Sequence, residues 1–446
     1  MIKSLLITLM IFMLLYARSE REPETLLRSA GTTHSQRTPS APTPYPTPVV
    51  NLAPYLHKQS GQTTTISASP NEDLGARVNE AEARLGARPG KIVVQGGGRI
   101  RSQIVVSHDL EFRGGTYSCD TPTVWQGCIL LKDNIHVACN EATILEPTFQ
   151  SGGQPAITVF QNYAATQRNE AASRNITVKG CRIVGRQTQF DGGVRQSISF
   201  GNCANCAAID NTLLNVTSIG IQFGGSAGEG NHALNALAVG NTIKGAAAAG
   251  IALVNVSGAI VTGNTILAPG RVGGPGGVSG VDIETNAPDD WCENIKVFNN
   301  LFDYRDPAFN SVGSAIMAQN TQSTNRSSGL LIANNRVLAN NEKAGLTSGI
   351  FFTRSFPGGM VVNNYIQRSM QGGFQLYGAE RTTFQDNVLV SCGGGGLPAI
   401  QIIGGGHNVF RRNRISVDPA LGGSASGEIV QTGAVGNSFD VAVTTR

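Results

Sequence analysis

The segment Gly280-Val-Asp-Ile-Glu-Thr-Asn286 holds two carboxylates, Asp282 and Glu284, two residues apart. Apolar and polar residues alternate along it, as in a β-strand with one buried and one outward face. In a strand both carboxylates face outward, with Cα atoms about 6.6 Å apart. Such a pair can act as acid and base in glycoside hydrolysis, where inverting enzymes space the carboxyl groups by about 6.5–9.5 Å. Neighbouring carboxylates also form ordinary solvated surfaces, so the pattern leaves that alternative open.

The same two carboxylates suggest a second chemistry. Their hard oxygen ligands suit Ca²⁺, which would neutralise a uronate while a base removes the adjacent proton in a β-elimination. Arg354, in a later strand, is the candidate base, although a guanidinium needs a strongly shifted environment for that role. The sequence therefore predicts catalytic roles for Asp282, Glu284 and Arg354, with Ca²⁺ as a possible cofactor held by the two carboxylates.

Further residues near this strand suit sugar binding. Trp291 can stack on the apolar face of a sugar ring, and Asp289 and Asp290 precede it directly. The alternatives are that the Asp pair caps a turn and that Trp291 covers the side of the domain. Three outward positions on later strands complete the predicted substrate-binding set, because an extended surface reads a polymer through many weak contacts: Gln319, Gln375 and Tyr377. The histidines His136, His232 and His407 are isolated in sequence.

A repeat indicates what positions these residues. The motif is Asn, any residue, then an apolar residue, and it recurs at intervals of 23 to 36 residues, as coiled strands with loop insertions do. Asn tolerates the left-handed backbone of a sharp corner, and stacked Asn side chains about 4.8 Å apart can form a hydrogen-bonded ladder. Cys181 occupies the same slot one coil earlier and is interpreted as a small buried residue. The motif begins at Asn211, Asn241, Asn264, Asn300, Asn335, Asn364, Asn387, Asn413 and Asn437, which are predicted to form one column.

A second repeat, Gly or Ala followed by alternating apolar residues, marks another strand of each coil. Period-2 alternation places the intervening residues outside. Aligning the coils gives two outward columns, and the coil with Asp282 and Glu284 is the one that carries two acids. The first column is Gln222, Ala252, Asp282, Met317, Phe351, Gln375 and Gln401; the second is Gly224, Val254, Glu284, Gln319, Thr353, Tyr377 and Ile403.

The N-terminal part divides into two predicted segments ahead of a domain at 71–446. Residues 1–17 are typical of a signal peptide or signal anchor, because the apolar run Leu5–Tyr16 reaches about 18 Å as a helix, short of a bilayer core of about 30 Å. No later run of 18 apolar residues predicts a membrane span. Residues 18–70 are Pro/Thr-rich and are predicted to be a disordered tether. The protein is therefore expected outside the cytoplasm, secreted, periplasmic or at the cell surface.

The amino-acid composition limits the fold classes and the kinds of binding partner that the chain can have. The 446 residues include 55 Gly, and only 14% are charged, which favours short strands joined by tight turns over long helices. The net charge of +4, without a basic run, gives no indication of nucleic-acid binding. The spacing of Leu74, Val78, Ala81 and Leu85 predicts a short capping helix over the first coil.

The eight cysteines fit an oxidising compartment. Cys119 and Cys128 flank a turn-like segment and form the best candidate disulfide. Cys203 and Cys206 form a CxxC pair that is interpreted as structural, since a redox motif would require a βαβ context.

Over residues 71–446 these motifs, with Lys91-Ile-Val-Val-Gln-Gly-Gly-Gly98 and Leu110-Glu-Phe-Arg-Gly-Gly-Thr-Tyr117 at the start, resemble the pectate-lyase-like superfamily. The resemblance implies an all-β fold, a right-handed parallel β-helix. Members include polysaccharide lyases, glycoside hydrolases, epimerases and non-catalytic binding proteins, so the fold alone does not assign a function. Asp289-Asp290 is not followed by the Gly-His-Gly of polygalacturonases, and the Asp-Pro-His motif of alginate epimerases is absent.

The sequence thus predicts a secreted carbohydrate-active protein that acts on an extracellular acidic polysaccharide by β-elimination or hydrolysis. The alternative is a non-catalytic polysaccharide-binding or adhesion module. A Pro/Thr-rich tether and the missing catalytic motifs favour this alternative.

Overall fold

A computed structural model of the chain describes residues 44–56, 61–67, 69, 71–121, 127–147, 158–166, 172–185, 196–225, 232–267, 278–306, 313–320, 327–339, 347–354, 356–394, 397–418 and 428–445, with the backbone of Thr25–Leu26. The predicted segment 1–17 lies outside these residues. Within them, no helix is long and apolar enough to span a membrane.

The chain winds into successive coils, and each complete coil adds a strand to several parallel sheets. In the coil that carries the two acids, Val278–Glu284 lies in a first sheet, and Lys296–Phe298 and Leu301–Asp303 lie in a second before the chain returns to the first sheet at Gly313–Gln319. Parallel connections of this kind are right-handed. The fold is the predicted all-β, right-handed parallel β-helix.

The first sheet, here called the front sheet, has 13 strands. All its pairings are parallel except that of Thr25–Leu26 with the last strand. Its strands are Thr25–Leu26, Ile104–Val106, Ile129–Leu131, Phe160–Asn162, Gln196–Phe200, Ile219–Gly224, Ala249–Val254, Val278–Glu284, Gly313–Gln319, Thr347–Thr353, Phe374–Tyr377, Ile400–Ile403 and Ile429–Thr432.

The second sheet has 25 strands in two stacks that merge at Val409–Val417 and Ser438–Thr445. The side stack contains Gln62–Ser67, Gly90–Gln95, Asp109–Arg113, His136–Asn140, Thr177–Lys179, Ala207–Ile209, Leu237–Val239, Ile260–Thr262, Lys296–Phe298, Leu331–Ala333, Met360–Val362 and Thr383–Gln385. The back stack contains Gly98–Ile100, Thr116–Cys119, Thr143–Leu145, Arg182–Val184, Thr212–Leu214, Thr242–Lys244, Thr265–Leu267, Leu301–Asp303, Arg336–Leu338, Tyr365–Gln367 and Val388–Val390. A four-stranded sheet links front and side: Ser173–Arg174, Cys203–Ala204, Ala233–Leu234 and Val256–Ser257.

The inward residues of all coils form one continuous core, and a helix closes its first end. The helix Leu74–Leu85 buries the four predicted apolar residues, which confirms the capping role. The Asp73 side chain accepts a hydrogen bond of 2.9 Å from the backbone N–H of Gly75 and caps the helix. Two 3₁₀ turns, Ala53–Tyr55 and Tyr163–Thr166, complete the helical structure of the described residues.

The Asn ladder runs from Asn211 to Asn413 along the corner between the side and back stacks. Each Nδ2 donates to the Oδ1 of the next Asn at 2.9–3.0 Å, and that oxygen also accepts the backbone N–H of the preceding Asn. The backbone N–H of Cys181 donates to Asn211 Oδ1, so Cys181 does occupy the first slot. These hydrogen bonds satisfy the buried amide groups of the ladder, as an internal polar column requires.

Two details of the predicted ladder are wrong. The left-handed residue of the corner is the one before each ladder Asn, as at Asn299 and Asn334, because the ladder side chain must point inward from extended backbone. Asn437 stacks on Asn408 in a second, shorter ladder, since the register shifts between Phe410 and Asn413 in the last coils.

Part of the segment that the sequence assigned to a tether lies on the solenoid. Residues 44–56, here called the N-terminal strap, run across the outer face of the side stack. The backbone N–H of Tyr45 donates to Asn334 Oδ1, and the Tyr55 hydroxyl donates to the carbonyl of Asn235. Several outward positions of the side stack are apolar, among them Ile209, Leu237, Ile260 and Phe298. The strap residues Tyr45, Val50, Leu52 and Tyr55 pack in the same clusters. Regular structure also begins before residue 71, because Gln62–Ser67 pairs with Gly90–Gln95.

The cysteine prediction was wrong in its pairing. Cys119 and Cys128 are both free thiols buried in the core. Cys119 ends the back-stack strand Thr116–Cys119, whereas Cys128 directly precedes the front-sheet strand Ile129–Leu131, so the two residues lie at different sheets although they are close in sequence. Cys181 forms a disulfide with Cys139 of the preceding coil, with Cα atoms 4.7 Å apart. The CxxC pair Cys203–Cys206 is also joined by a disulfide.

Candidate functional site

The two acids lie on the outer face of the front sheet, in the predicted register. Asp282 aligns with Ala252 and Met317 in the adjacent strands, and Glu284 aligns with Val254 and Gln319. Gly280 lets this strand lie close to the back stack, because a Cβ there would lie 2.5 Å from the Phe302 ring. The rigid sheet therefore fixes the position of both carboxylates.

Burial and mutual repulsion set the electrostatics of the pair. Burial raises the pKa of Asp282 well above its usual value, and the nearby Glu284 charge raises it further. Burial also raises the pKa of Glu284. Gln319 Nε2 donates to Asp282 Oδ1 at 3.4 Å, which opposes the pKa shift of Asp282 without cancelling it. The pair therefore combines an acid that tends to stay protonated with a second carboxyl whose pKa is raised to a smaller degree.

A tight turn directly after the strand supports Glu284. Asn286 Nδ2 donates to Glu284 Oε1 at 3.2 Å. Asp290 is buried, and its Oδ2 accepts the backbone N–H groups of Asn286 and Ala287 at 2.7 and 2.8 Å. Asp290 thus caps the turn that carries Asn286, which is the alternative that the sequence left open. The neighbouring Asp289 is exposed.

Trp291 packs at the edge of the front sheet on groups that lie far away in sequence. Its ring stacks on His232 with ring centroids 4.1 Å apart. Its Nε1 donates to Ser257 Oγ and its backbone N–H donates to Asn255 Oδ1, both at 3.2 Å. One face of the Trp291 ring is therefore covered by His232, and the ring is only partly exposed.

The remaining predicted binding residues occupy the same sheet face further along. Gln375 is buried; it donates to the Gln371 carbonyl and accepts the Ser348 hydroxyl, so it acts as a structural amide in this state. Tyr377 donates to Gln401 Oε1 at 3.3 Å, and burial raises the pKa of its hydroxyl. Arg354 follows Thr353, two coils from Glu284, and its side chain is exposed.

Sequence reasoning missed Asn286, Asn255, Ser257 and Glu293, and it left His232 as an isolated residue. Coil stacking brings His232, Asn255 and Ser257 from earlier coils to Trp291, and no local motif marks them. Asn286 and Glu293 follow the acids in the same coil. The signal that could have indicated Asn286 is its place at the end of the same alternating strand.

The acid pair offers few oxygen ligands for a calcium ion. In the part of the chain that the structure describes, no group of three His, Cys, Asp or Glu side chains could hold a metal ion. Gln319 presents its Nε2 to Asp282, and the Asp290 carboxylate is occupied by backbone N–H groups. Because Ca²⁺ takes six to eight oxygens, most of its ligands here would have to come from water or substrate.

No protein-family model and no curated protein matches the chain. Solved structures do resemble it. The hyperthermoactive exopolygalacturonase from Thermotoga maritima is similar at a TM-score of 0.51 and 10% identity, over 88% of this chain and 94% of that one. The alginate lyase from Paenibacillus sp. str. FPU-7 gives 0.39 and 11%, over 86% and 97%, and the DFA-IIIase from Arthrobacter chlorophenolicus A6 gives 0.46 and 12%, over 84% and 92%. At these identities the likeness shows the fold alone: the chain is a right-handed parallel β-helix.

Proposed function

We propose that this protein is an extracellular carbohydrate-active enzyme that hydrolyses an acidic polysaccharide at Asp282 and Glu284. The observation that carries the proposal is the placement of two carboxyl groups side by side on a rigid outer sheet face, with the pKa of both raised and that of Asp282 raised well above its usual value. Carboxyl pairs whose environments shift their pKa values apart are typical of glycoside hydrolysis.

In this mechanism each carboxyl has a distinct role. Asp282, which keeps its proton to higher pH, protonates the oxygen of the leaving sugar. Glu284 in its ionised form activates a water molecule or attacks the anomeric carbon. Asn286 holds Glu284 from one side, and Gln319 contacts Asp282 from the next coil. The exposed guanidinium of Arg354, two coils away, suits the carboxylate of a neighbouring uronate unit.

Product analysis tests the proposal. Full-length protein is incubated with uronate polymers and with neutral polymers, and new reducing ends and unsaturated ends are measured separately. Hydrolysis gives reducing ends without unsaturated ends, and activity is expected to survive EDTA. Unsaturated ends, lost with EDTA and restored by Ca²⁺, would replace hydrolysis with calcium-assisted β-elimination.

Variants connect the activity to the site. We expect Asp282→Asn and Glu284→Gln each to lower turnover by about 10²-fold or more, the range of general acid–base catalysis. Glu141→Gln, which changes an exposed carboxylate in an early coil, is the matched control and should keep wild-type turnover. Wild-type rates in both acid variants would reject the site. Binding without product on every polymer would favour the non-catalytic module.

A further inference from the structure

A second cluster of reactive side chains lies beside the acid pair, at the junction of the front sheet and the four-stranded sheet. His232 Nε2 lies 3.1 Å from Ser257 Oγ, and His232 Nδ1 lies 2.8 Å from Asn255 Oδ1. Asn255 directly follows Val254, the sheet neighbour of Glu284, and its backbone N–H donates to the Glu284 carbonyl. The Ser257 hydroxyl, the His232 imidazole and the Asn255 amide thus form one chain of hydrogen bonds, with His232 in the middle.

The hydrogen bonds around Asn255 fix the tautomer of His232. Asn255 Oδ1 accepts the backbone N–H of Trp291, a group that can only donate, so the amide oxygen and not the nitrogen faces this point. The same oxygen faces His232 Nδ1, so Nδ1 must carry the proton. In the neutral imidazole the unprotonated Nε2 then faces the Ser257 hydroxyl. This is the arrangement in which a histidine accepts the proton of a serine nucleophile.

We propose that Ser257, His232 and Asn255 form a second active site that hydrolyses short acyl esters on sugar hydroxyls, independent of the acid pair. Ser257 Oγ attacks the acyl carbon and forms a tetrahedral oxyanion, while His232 Nε2 takes the hydroxyl proton; loss of the sugar oxygen in the next step leaves the acyl–serine ester. His232 then protonates the departing sugar oxygen as the acyl–oxygen bond breaks. Water, deprotonated by His232, releases the carboxylic acid and restores the Ser257 hydroxyl.

The surroundings of Ser257 support this chemistry. Trp291 Nε1–H lies 3.2 Å from Ser257 Oγ, beside the reacting atom, and can donate to the oxyanion that forms there. His232 stacks on Trp291, which holds the imidazole plane in place. His232 and Trp291 are partly exposed, and Ser257 keeps 9% of its surface accessible, so a small acyl group is a suitable substrate.

Glu293 is the competing acceptor in this cluster. Its Oε1 lies 3.1 Å from Ser257 Oγ, so the hydroxyl proton can point to Glu293 or to His232. The histidine is assigned as the base because the Asn255 amide orients its ring, whereas the hydrogen bond of the Glu293 carboxylate within the described residues is to Ser257 itself. A pair of variants separates the two possibilities.

The experiment uses full-length protein, a fluorophosphonate probe that labels activated serines, p-nitrophenyl acetate, and an acetylated polysaccharide. We expect covalent labelling at Ser257, found by peptide mass analysis, and release of acetate. Ser257→Ala should abolish labelling and acetate release, and His232→Gln should lower the rate by about 10²-fold or more. Ser438→Ala, which removes an exposed hydroxyl in the last strand, should keep the wild-type rate.

Three outcomes would overturn the proposal. One is the absence of labelling and of acetate release in folded wild-type protein. Another is labelling of a serine other than Ser257. The third is loss of activity in Glu293→Gln with full activity in His232→Gln, which would make the carboxylate the base. Circular dichroism of each variant establishes that a lost activity does not reflect a lost fold. A second pair of variants tests the role of Asn255: Asn255→Asp keeps an oxygen acceptor for His232 Nδ1 and should retain more esterase activity than Asn255→Ala.

Discussion

Asn300 Nδ2 donates a hydrogen bond of 3.0 Å to Oδ1 of Asn335, which lies 35 residues later and one coil further along the solenoid. The same Nδ2 donates to the carbonyls of Val261 and Phe298, and Asn300 Oδ1 accepts from Asn264. One buried amide thus joins three consecutive coils. Asn300 belongs to the coil that carries the acid pair, so the stability of that coil depends on such contacts.

Replacement of Asn300 should be costly. Asn300→Ala leaves several buried donors and acceptors unsatisfied, and we expect the free energy of unfolding to fall by about 2–4 kcal/mol. Asn437→Ala, in the short ladder near the last coil where the side chain is only partly buried, should cost less than about 1 kcal/mol. Denaturant unfolding of both variants measures the difference, and equal losses would contradict the ladder's role.

The pH dependence of glycan cleavage follows from the two raised pKa values. The active state needs protonated Asp282 and ionised Glu284. Activity should therefore rise as pH passes the raised pKa of Glu284 and fall as pH passes the pKa of Asp282, which is raised well above its usual value, so the profile should be bell-shaped. Measurement of kcat/KM against pH checks this, and a profile flat through the acidic and neutral range would exclude the pair.

Gln319 should affect the alkaline limb of the pH–activity profile, which reports the pKa of Asp282. Its hydrogen bond lowers the pKa of Asp282, so its removal in Gln319→Leu should raise that pKa and move the alkaline limb to higher pH. The acid limb, which reports Glu284, should stay in place. A shift of the alkaline limb to lower pH would contradict the hydrogen bond between Gln319 and Asp282.

Asp290 should affect the acid limb of the pH–activity profile, which reports the pKa of Glu284. Its charge raises the pKa of Glu284, and its oxygen caps the turn at Asn286. Asp290→Asn keeps an oxygen for the cap and removes the charge, so the pKa of Glu284 should fall and the acid limb should move to lower pH. An acid limb that stays in place or moves to higher pH in a folded variant would show that this charge does not reach Glu284.

The contact between the N-terminal strap and the side stack can be tested with the same substitution at two adjacent valines. Val50 packs on the apolar outer face of the side stack, whereas Val49 is 96% exposed. Val50→Asp should lower Tm and increase binding of a hydrophobic dye, because the strap would lose its hold on that face. Val49→Asp should do neither. The same Tm for both variants would show that the strap does not cover this surface in solution.

The thiols give a chemical test of the core. All eight cysteines lie within the described residues: two pairs form disulfides, and Cys119, Cys128, Cys292 and Cys392 are buried thiols. Burial raises the pKa of Cys292 to about 12, which further suppresses its thiolate. Iodoacetamide should modify none of the four in the native protein and all four after unfolding without reductant. Native labelling of Cys119 or Cys128 would show that the first coils open.

The sequence by itself determined the coil architecture, because period-2 alternation and recurrent Asn and Gly/Ala positions depend on local backbone geometry. The same local rules placed Asp282 and Glu284 on one outward face and predicted the capping helix at Leu74–Leu85. Tertiary structure decided which cysteines pair, where the strap lies and what surrounds the acids. Those outcomes depend on which coils stack and how long the intervening loops are. Cys139 contacts Cys181, and His232 contacts Ser257, because each pair lies at matching positions of stacked coils although its members are distant in sequence.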